Sequence, residues 1–304
     1  MEKLTRAITN LFGDEGIAWL ARLPGLIAEI EARWDVTVGP PLPDLSFNYV
    51  APAVTAGGEQ GILKLGVPHR ELASEIGALR LYDGRGAARL LAADAELGAL
   101  LLERLQPGTP AYDLHDEEQV TAIAADVMRR LWRPLPPEHD FTTVADWAAG
   151  LGRLRARFGG GTGPFPAALV ERAEGLFAEL FASEAEPVLL HGDLHHWNIL
   201  ATDGHRSTGG SWSAIDPKGV AGEPAFEPVA LLHNPWGELL DLPDPARLQA
   251  RRVALLSEML GLDRERVAAW GLAGTVLSAW WSLEDGFDDW PFALGCAELL
   301  VPLT

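Results

Sequence analysis

A change of hydrophobic period divides this chain about one third of the way along it. Before that point, "LSFNYVAPAV" and "GILKLGV" are short β-prone runs around the turn "TAGGEQG", and "AARLLAAD" and "GALLLERL" are two more around a turn near Glu96. Between the pairs, "HRELASEIGALRLYDG" carries apolar residues at helical spacing and ends at Gly84. Ahead of them, residues 5–33 place Leu11, Ile17, Leu20, Leu23, Ile27 and Ile30 at helical spacing, which predicts an opening helix interrupted near Pro24. Further on, helical spacing dominates over 116–132, 143–158, 167–183, 224–233, 245–260 and 264–284, broken by the β-like pieces "PVLL", "WNILAT" and "SWSAID". "QPGTP", Gln106 to Pro110, marks the change, since its Pro and Gly residues are expected to break strand and helix alike. The expected architecture is α+β and bilobal: a small antiparallel-sheet N-lobe with its N-terminal helix over residues 1–106, then a larger, mainly helical C-lobe over 107–304.

A chain of 304 residues can bury the cores of two such lobes. With 43 acidic residues against 24 basic ones and a formal charge of −19, the balance argues against a broad phosphate-backbone footprint, so nucleic acid is not an expected partner. The same charge raises the local concentration of cationic small molecules. No apolar run approaches the ~20 residues that cross a bilayer, so no membrane partner is expected. "MEKLTRAITNLFGDEGIAWL" lacks the parts of a secretory signal, and the single Cys296 cannot form an internal disulfide, so the expected compartment is the cytoplasm.

The densest chemistry lies in "HGDLHHWNIL", residues 191–200. Its three histidines could be read as a metal cage, but His195 and His196 are neighbours that project apart, and the i, i+4 pair around a glutamate used by helical zinc sites is missing. "HGDLHHWN" instead matches the catalytic-loop pattern His-x-Asp-Leu-x-x-x-Asn, in which the aspartate faces a substrate hydroxyl and the asparagine binds magnesium. Downstream, "WSAIDPKG" delivers Asp216 from an apolar run with Gly219 three residues later, where a kinase carries its second magnesium ligand. The strands on either side of a Gly-rich turn would return Asp216 to Asn198. Upstream, Lys64 sits inside the apolar run "GILKLGV" and needs a carboxylate if buried. Glu71 and Glu75 lie one turn apart on the next helix, and Glu75 is nearer its middle.

These motifs, with "AIDPKGVAGEPAFEP", "LLHNP", "LRLYDGRGAARLL" and "GALLLERLQPGT", resemble the aminoglycoside phosphotransferase family, and more closely its streptomycin 6-kinase and hydroxyurea-resistance kinase branch, over roughly residues 45–290. The resemblance implies a protein-kinase-like fold and an ATP- and magnesium-dependent phosphotransferase acting on a small-molecule acceptor. It implies Asp193 as the base, Asn198 and Asp216 on Mg2+, Lys64 on the phosphates, Glu75 on Lys64, and adenine on the backbone near Glu103, Arg104 and Leu105. It also implies that Glu227 braces the catalytic loop. No Gly-x-Gly-x-x-Gly precedes Lys64; "VGPPLPDLSFN" stands in the place of the phosphate-covering loop, with Ser46 its one obvious hydroxyl.

The acceptor is expected to be a hydroxylated cation of aminoglycoside or amino-sugar type. "AWWSLEDGFDDW" gathers Glu284, Asp285, Asp288 and Asp289 beside Trp280, Trp281 and Trp290, and in the family this region faces the catalytic loop. Glu284 and Asp285 are the expected contacts, through charge and tryptophan faces. Two other readings compete: a pseudokinase-like module that holds nucleotide or ligand without turnover, and a metal-dependent hydrolase built on the histidines.

Overall fold

The computed structural model describes residues 1–43, 45–203 and 211–304. Helix α1 (Glu2–Trp34) is followed by β1 (Val36–Val38), β2 (Tyr49–Thr55), β3 (Gln60–Leu65), α2 (Arg70–Tyr82), β4 (Leu90–Asp94) and β5 (Ala99–Glu103). The strands form one antiparallel sheet in the order β1-β2-β3-β5-β4. Side chains alternate across it. Leu63, Leu65, Ala99 and Leu101 pack with α1 on one face, while Leu100 and Leu102 join α2 and the helical part on the other. By the same alternation Lys64, set between Val50 and Leu100, points to the α2 side.

Helix α1 departs from expectation. Its break is at Gly13 (φ 53°, ψ −130°), and Pro24 lies within the helix. The chain folds back so tightly that a Cβ on Gly16 would stand 2.5 Å from the Ile8 carbonyl oxygen. Leu4 and Ile8 before this break, and Trp19, Leu23, Leu26 and Ile30 after it, are buried, whereas Leu11 and Ile17 are exposed.

The second part contains β6 (Pro107–Pro110), α3 (Glu117–Leu131), β7 (Arg133–Pro134), β8 (Thr142–Thr143), α4 (Val144–Ala148), α5 (Gly150–Arg157) and α6 (Ala167–Ala182). Then come β9 (Val188–Leu190), β10 (Ile199–Thr202), β11 (Trp212–Ala214), β12 (Val220–Gly222), α7 (Val229–Leu232), α8 (Pro245–Leu260), α9 (Arg264–Glu284) and α10 (Trp290–Leu300). "QPGTP" is a strand after all, because β6 lies at the edge of the sheet β11-β10-β6, where missing proline N–H groups cost no ladder bond. The expected helix 143–158 divides into α4 and α5. At the junction, Gly150 approaches α9 so closely that a Cβ would meet Leu277 at 2.7 Å. Over 224–233 only a 3-10 turn (Pro224–Phe226) and α7 form, with Pro228 between them. Helix α10, absent from the sequence reading, carries the buried Cys296.

Helix α9 is buried on nearly every side from Val267 to Leu277, as expected of a core helix. Trp270 is its anchor, ringed edge-on by Phe177, Phe181 and Phe226. Gly274 lets α7 pack close, since a Cβ there would meet Val229 at 2.6 Å. That contact fixes the segment carrying Glu227, two residues earlier.

Candidate active site

Strand β9 feeds the loop 191–198, and β10 leaves it. Pairing of Ile199 with Ala214 in the β10–β11 hairpin, and the bond from Ile215 N–H to the Asn198 carbonyl (3.0 Å), carry Asp216 back beside Asn198. The Gly-rich turn expected between these strands lies outside the described residues. His191 locks the two segments together: its Nε2 donates to the Ile215 carbonyl (2.8 Å), and its Nδ1 accepts the Asp193 N–H (3.2 Å). Burial pulls its pKa down to about 4, so the ring is neutral and suits this donor–acceptor pattern.

Below the loop, the buried Glu227 carboxylate accepts N–H bonds from His191 (2.8 Å) and Gly192 (2.9 Å). Burial pushes Glu227 up to about 7 despite these two bonds. Gly192 has φ 80°, and a Cβ would lie 2.9 Å from both Trp147 and Val220, so no larger residue fits between loop and wall. Asp193 is the part-exposed carboxylate that results, with His195 Nε2 3.6 Å from its Oδ1. Asn198 donates from Nδ2 to the Asp193 carbonyl (2.9 Å), which leaves its amide oxygen as the atom for a cation.

Lys64 Nζ donates to both oxygens of Glu75 (2.7 and 2.8 Å) and to Asp216 Oδ1 (3.2 Å). Glu75 belongs to the buried stripe of α2 with Leu72, Ile76, Leu79 and Tyr82, whereas Glu71 faces outward, 3.7 Å from Lys218. Burial works against the Lys64 charge, but Asp216 and Glu75 outweigh it and hold its pKa above the ordinary lysine value. Burial also opposes the Asp216 charge, yet Lys64 keeps that carboxyl below the usual range. Asp216 lies in the left-handed region (φ 58°) and its side chain stays 46% exposed. A partly exposed carboxylate and an amide oxygen on adjoining segments are donors of the kind that suit a hard divalent cation.

Glu103 is buried at the end of β5, where its side chain accepts the Arg89 N–H (3.0 Å), and Arg104 N–H bonds the Gln60 carbonyl (3.2 Å). Leu105 follows on the way to β6. Ser46 is half-buried in the β1–β2 connection, whose first residues hug β2 through Gly39 N–H to Pro52 (2.8 Å) and Leu42 N–H to Val50 (2.9 Å).

The C-terminal acids separate. Glu284 takes a two-point ion pair from Arg153 (2.7 Å each), while Asp289 accepts from Trp236 Nε1 (2.8 Å) and from Ser282. Asp285 is raised by burial and by Glu284 and Glu71. Trp280 is buried, Trp290 stacks on Phe165, and Trp281 meets Trp147 edge-on. The histidines separate too, against the hydrolase reading: His196 pairs with Glu117 (3.2 Å), itself bound to the buried Arg252, and His195 turns to Asp193. Two residues passed over in the sequence reading border the site. Lys218, whose N–H bonds the His191 carbonyl (2.8 Å), was readable from its place in "IDPKG"; buried His233 lies in "LLHNP" with no local pattern to reveal it.

A family profile described as aminoglycoside/hydroxyurea antibiotic resistance kinase matches residues 33–286. A streptomycin 6-kinase of Streptomyces glaucescens is 32% identical over 94% of this chain and 91% of its own. A hydroxyurea phosphotransferase of Kitasatospora aureofaciens is 37% identical over 90% of this chain and 77% of its own. Among solved structures, choline kinase LicA of Streptococcus pneumoniae superposes with a TM-score of 0.64 at 14% identity, covering 93% of this chain and 99% of its own; its fold is shared. The architecture is therefore protein-kinase-like, and the protein is a small-molecule phosphotransferase with a nucleotide as cosubstrate. Its place within that class is equally plain: the chain belongs to the aminoglycoside/hydroxyurea antibiotic resistance kinase family. Among the described residues no helix is long and apolar enough to cross a membrane.

Proposed function

We propose that this enzyme transfers the γ-phosphoryl group of ATP to a hydroxyl of a cationic aminoglycoside or amino-sugar acceptor, in the cytoplasm. The observation carrying the proposal is the meeting of Lys64, Glu75 and Asp216, from the sheet, α2 and the loop after β11, beside the loop that holds Asp193 and Asn198. Residues 1–106 form the nucleotide side: the backbone at Glu103, Arg104 and Leu105 receives adenine, Lys64 held by Glu75 receives the phosphates, and the Ser46 loop covers them. Residues 107–304 form the catalytic and acceptor side. Asn198 and Asp216 hold Mg2+, whose bound role is to offset phosphate charge. Asp193 orients the acceptor hydroxyl and takes its proton as the new P–O bond forms and the bond to ADP breaks. Glu284 and Asp285 attract the acceptor's positive charge; Asp285 is the better placed, because Glu284 is matched by Arg153.

An ATP-consumption screen against streptomycin, other aminoglycosides, amino sugars and hydroxyurea tests the proposal. Acceptor-dependent ADP release with a cationic sugar, abolished in Asp193→Asn, is the expected result. Nucleotide binding with no turnover on any acceptor would favour the pseudokinase reading, and a best acceptor without positive charge would remove the acceptor class.

A further inference from the structure

Trp197 lies between the two working residues of the catalytic loop, four positions after Asp193 and one before Asn198, yet its side chain turns outward and is 49% exposed. An indole left half in water within the catalytic loop forgoes burial that a core position would provide. It is not loose. Its ring stacks on Tyr112 with centroids 4.1 Å apart and planes 21° apart, and the Trp197 backbone N–H donates to His195 Nδ1 (3.3 Å), which fixes the main chain beneath it. Tyr112 is tied to the same loop by its own N–H on the His196 carbonyl (3.2 Å), and its hydroxyl donates to both oxygens of Glu238 (2.8 and 2.9 Å). Three chain segments far apart in sequence thus converge: the turn after β6, the catalytic loop, and the stretch after α7. The last also carries the buried His233, edge-on to Trp236.

A held aromatic face with a carboxylate fixed at its edge has a definite chemistry. The face of a sugar or cyclitol ring packs on indole, a guanidinium or ammonium is drawn to the π-system, and the carboxylate adds Coulomb attraction where water is partly displaced. Backing by Tyr112 lowers the entropic cost of presenting that face. We propose that Trp197, backed by Tyr112 and flanked by Glu238, is the platform on which the ring of a cationic, polyhydroxylated acceptor stacks while one of its hydroxyls lies at Asp193. This inference rests on the acceptor class proposed above and adds residues that determine specificity within it. Tyr112 and Glu238 act as positioning residues, and Trp197 makes the contact.

The test is calorimetric titration of streptomycin into the protein held with Mg2+ and the non-hydrolysable AMP-PNP. Trp197→Ala is expected to weaken streptomycin binding about tenfold or more while AMP-PNP affinity changes less than about twofold. Trp197→Phe, which keeps an aromatic face, should recover most of the affinity, and Glu238→Gln should weaken binding and reduce its dependence on salt. Unchanged streptomycin affinity in Trp197→Ala overturns the platform while leaving the phosphotransferase reading intact. An equal loss of AMP-PNP affinity, or no recovery with Phe, also overturns it, because Trp197 would then serve loop shape or the nucleotide. Failure of the wild-type protein to bind streptomycin and kanamycin would instead remove the acceptor class, and this inference with it.

Discussion

The Lys64–Glu75 pair permits a test that separates folding from function. Both side chains are buried, and Glu75 supplies two of the three bonds to the ammonium. Replacing Glu75 by Leu strands a buried cation, a change that costs about 3–5 kcal/mol in comparable settings. Asp216 remains 3.2 Å from Nζ and is open to water, so the lower end, about 3 kcal/mol, is expected here. The double variant Lys64→Met, Glu75→Leu strands no buried charge, since Asp216, which also loses Lys64, stays 46% exposed to water; it fills similar volume against Val50, Leu100 and Ile76, and should return to within about 1 kcal/mol of wild type. Turnover should be lost in both. Urea midpoints at constant m read the stability, and AMP-PNP calorimetry with Mg2+ reads the site. A double variant as unstable as the single one would refute the reasoning that the pair is kept for phosphate binding rather than for stability; a double variant with wild-type AMP-PNP affinity would refute the assignment of Lys64 itself. Glu71→Leu, outside the buried stripe, should cost less than about 0.5 kcal/mol.

Asp193→Asn should lower turnover by about 10² to 10⁴ with AMP-PNP affinity retained, and equal activity in steady-state assays would end the base assignment. Asp216→Ala should abolish the magnesium dependence of nucleotide binding; unchanged affinity by calorimetry would put the cation elsewhere. Glu227→Gln has one acceptor oxygen for the His191 and Gly192 N–H groups, so it should cost about 1–3 kcal/mol and slow turnover, seen in urea melts and kcat. Glu117 is held at about 2 by the His196 bond and by Arg252, against the pull of burial. Its folded value is depressed, so its contribution is present above the usual carboxylate range and lost as pH falls from about 4.5 to about 2; melts of Glu117→Gln should be flatter over that window by at most about 3 kcal/mol.

The parts legible in the sequence are those made by local periodicity or by a short hydrogen-bonded path. Strands β2 to β5 and helix α2 follow alternation and helical spacing; spacing alone puts Glu71 and Glu75 on one face, and it is Glu75, nearer the middle of the helix, that lies in the buried stripe. "HGDLHHWN" and "AID" sit on one hairpin, so their meeting is encoded within twenty-six residues, 191–216. Where one strong local signal competed with tertiary context, the context prevailed. Pro24 does not end α1, because the break falls at Gly13; Pro107 and Pro110 sit at a strand edge where their missing N–H groups do no harm. The short strands β1, β7, β8 and β12 have too few residues to show a period at all.

The acceptor side was less legible for a physical reason that also bears on its design. A cluster in sequence, such as Glu284 to Asp289, is a poor guide to charge in space, because each acid on a helix end meets whatever its own direction offers: Arg153 for Glu284, Trp236 and Ser282 for Asp289. Residues that do share a wall come from distant segments, as with Tyr112, Trp197 and Glu238, and no motif spans them. The two halves of the site are thus held differently. Asp193 and Asn198 are fixed from beneath by Glu227, by His191 and by the backbone, all of it buried, so changes there propagate into the core. Trp197 and Glu238 are attached to that rigid base but end in solvent, where substitution changes a contact without opening a cavity. A family whose members phosphorylate different small molecules can therefore vary this rim while phosphoryl transfer stays intact, and the rim is where substitutions should exchange one acceptor for another.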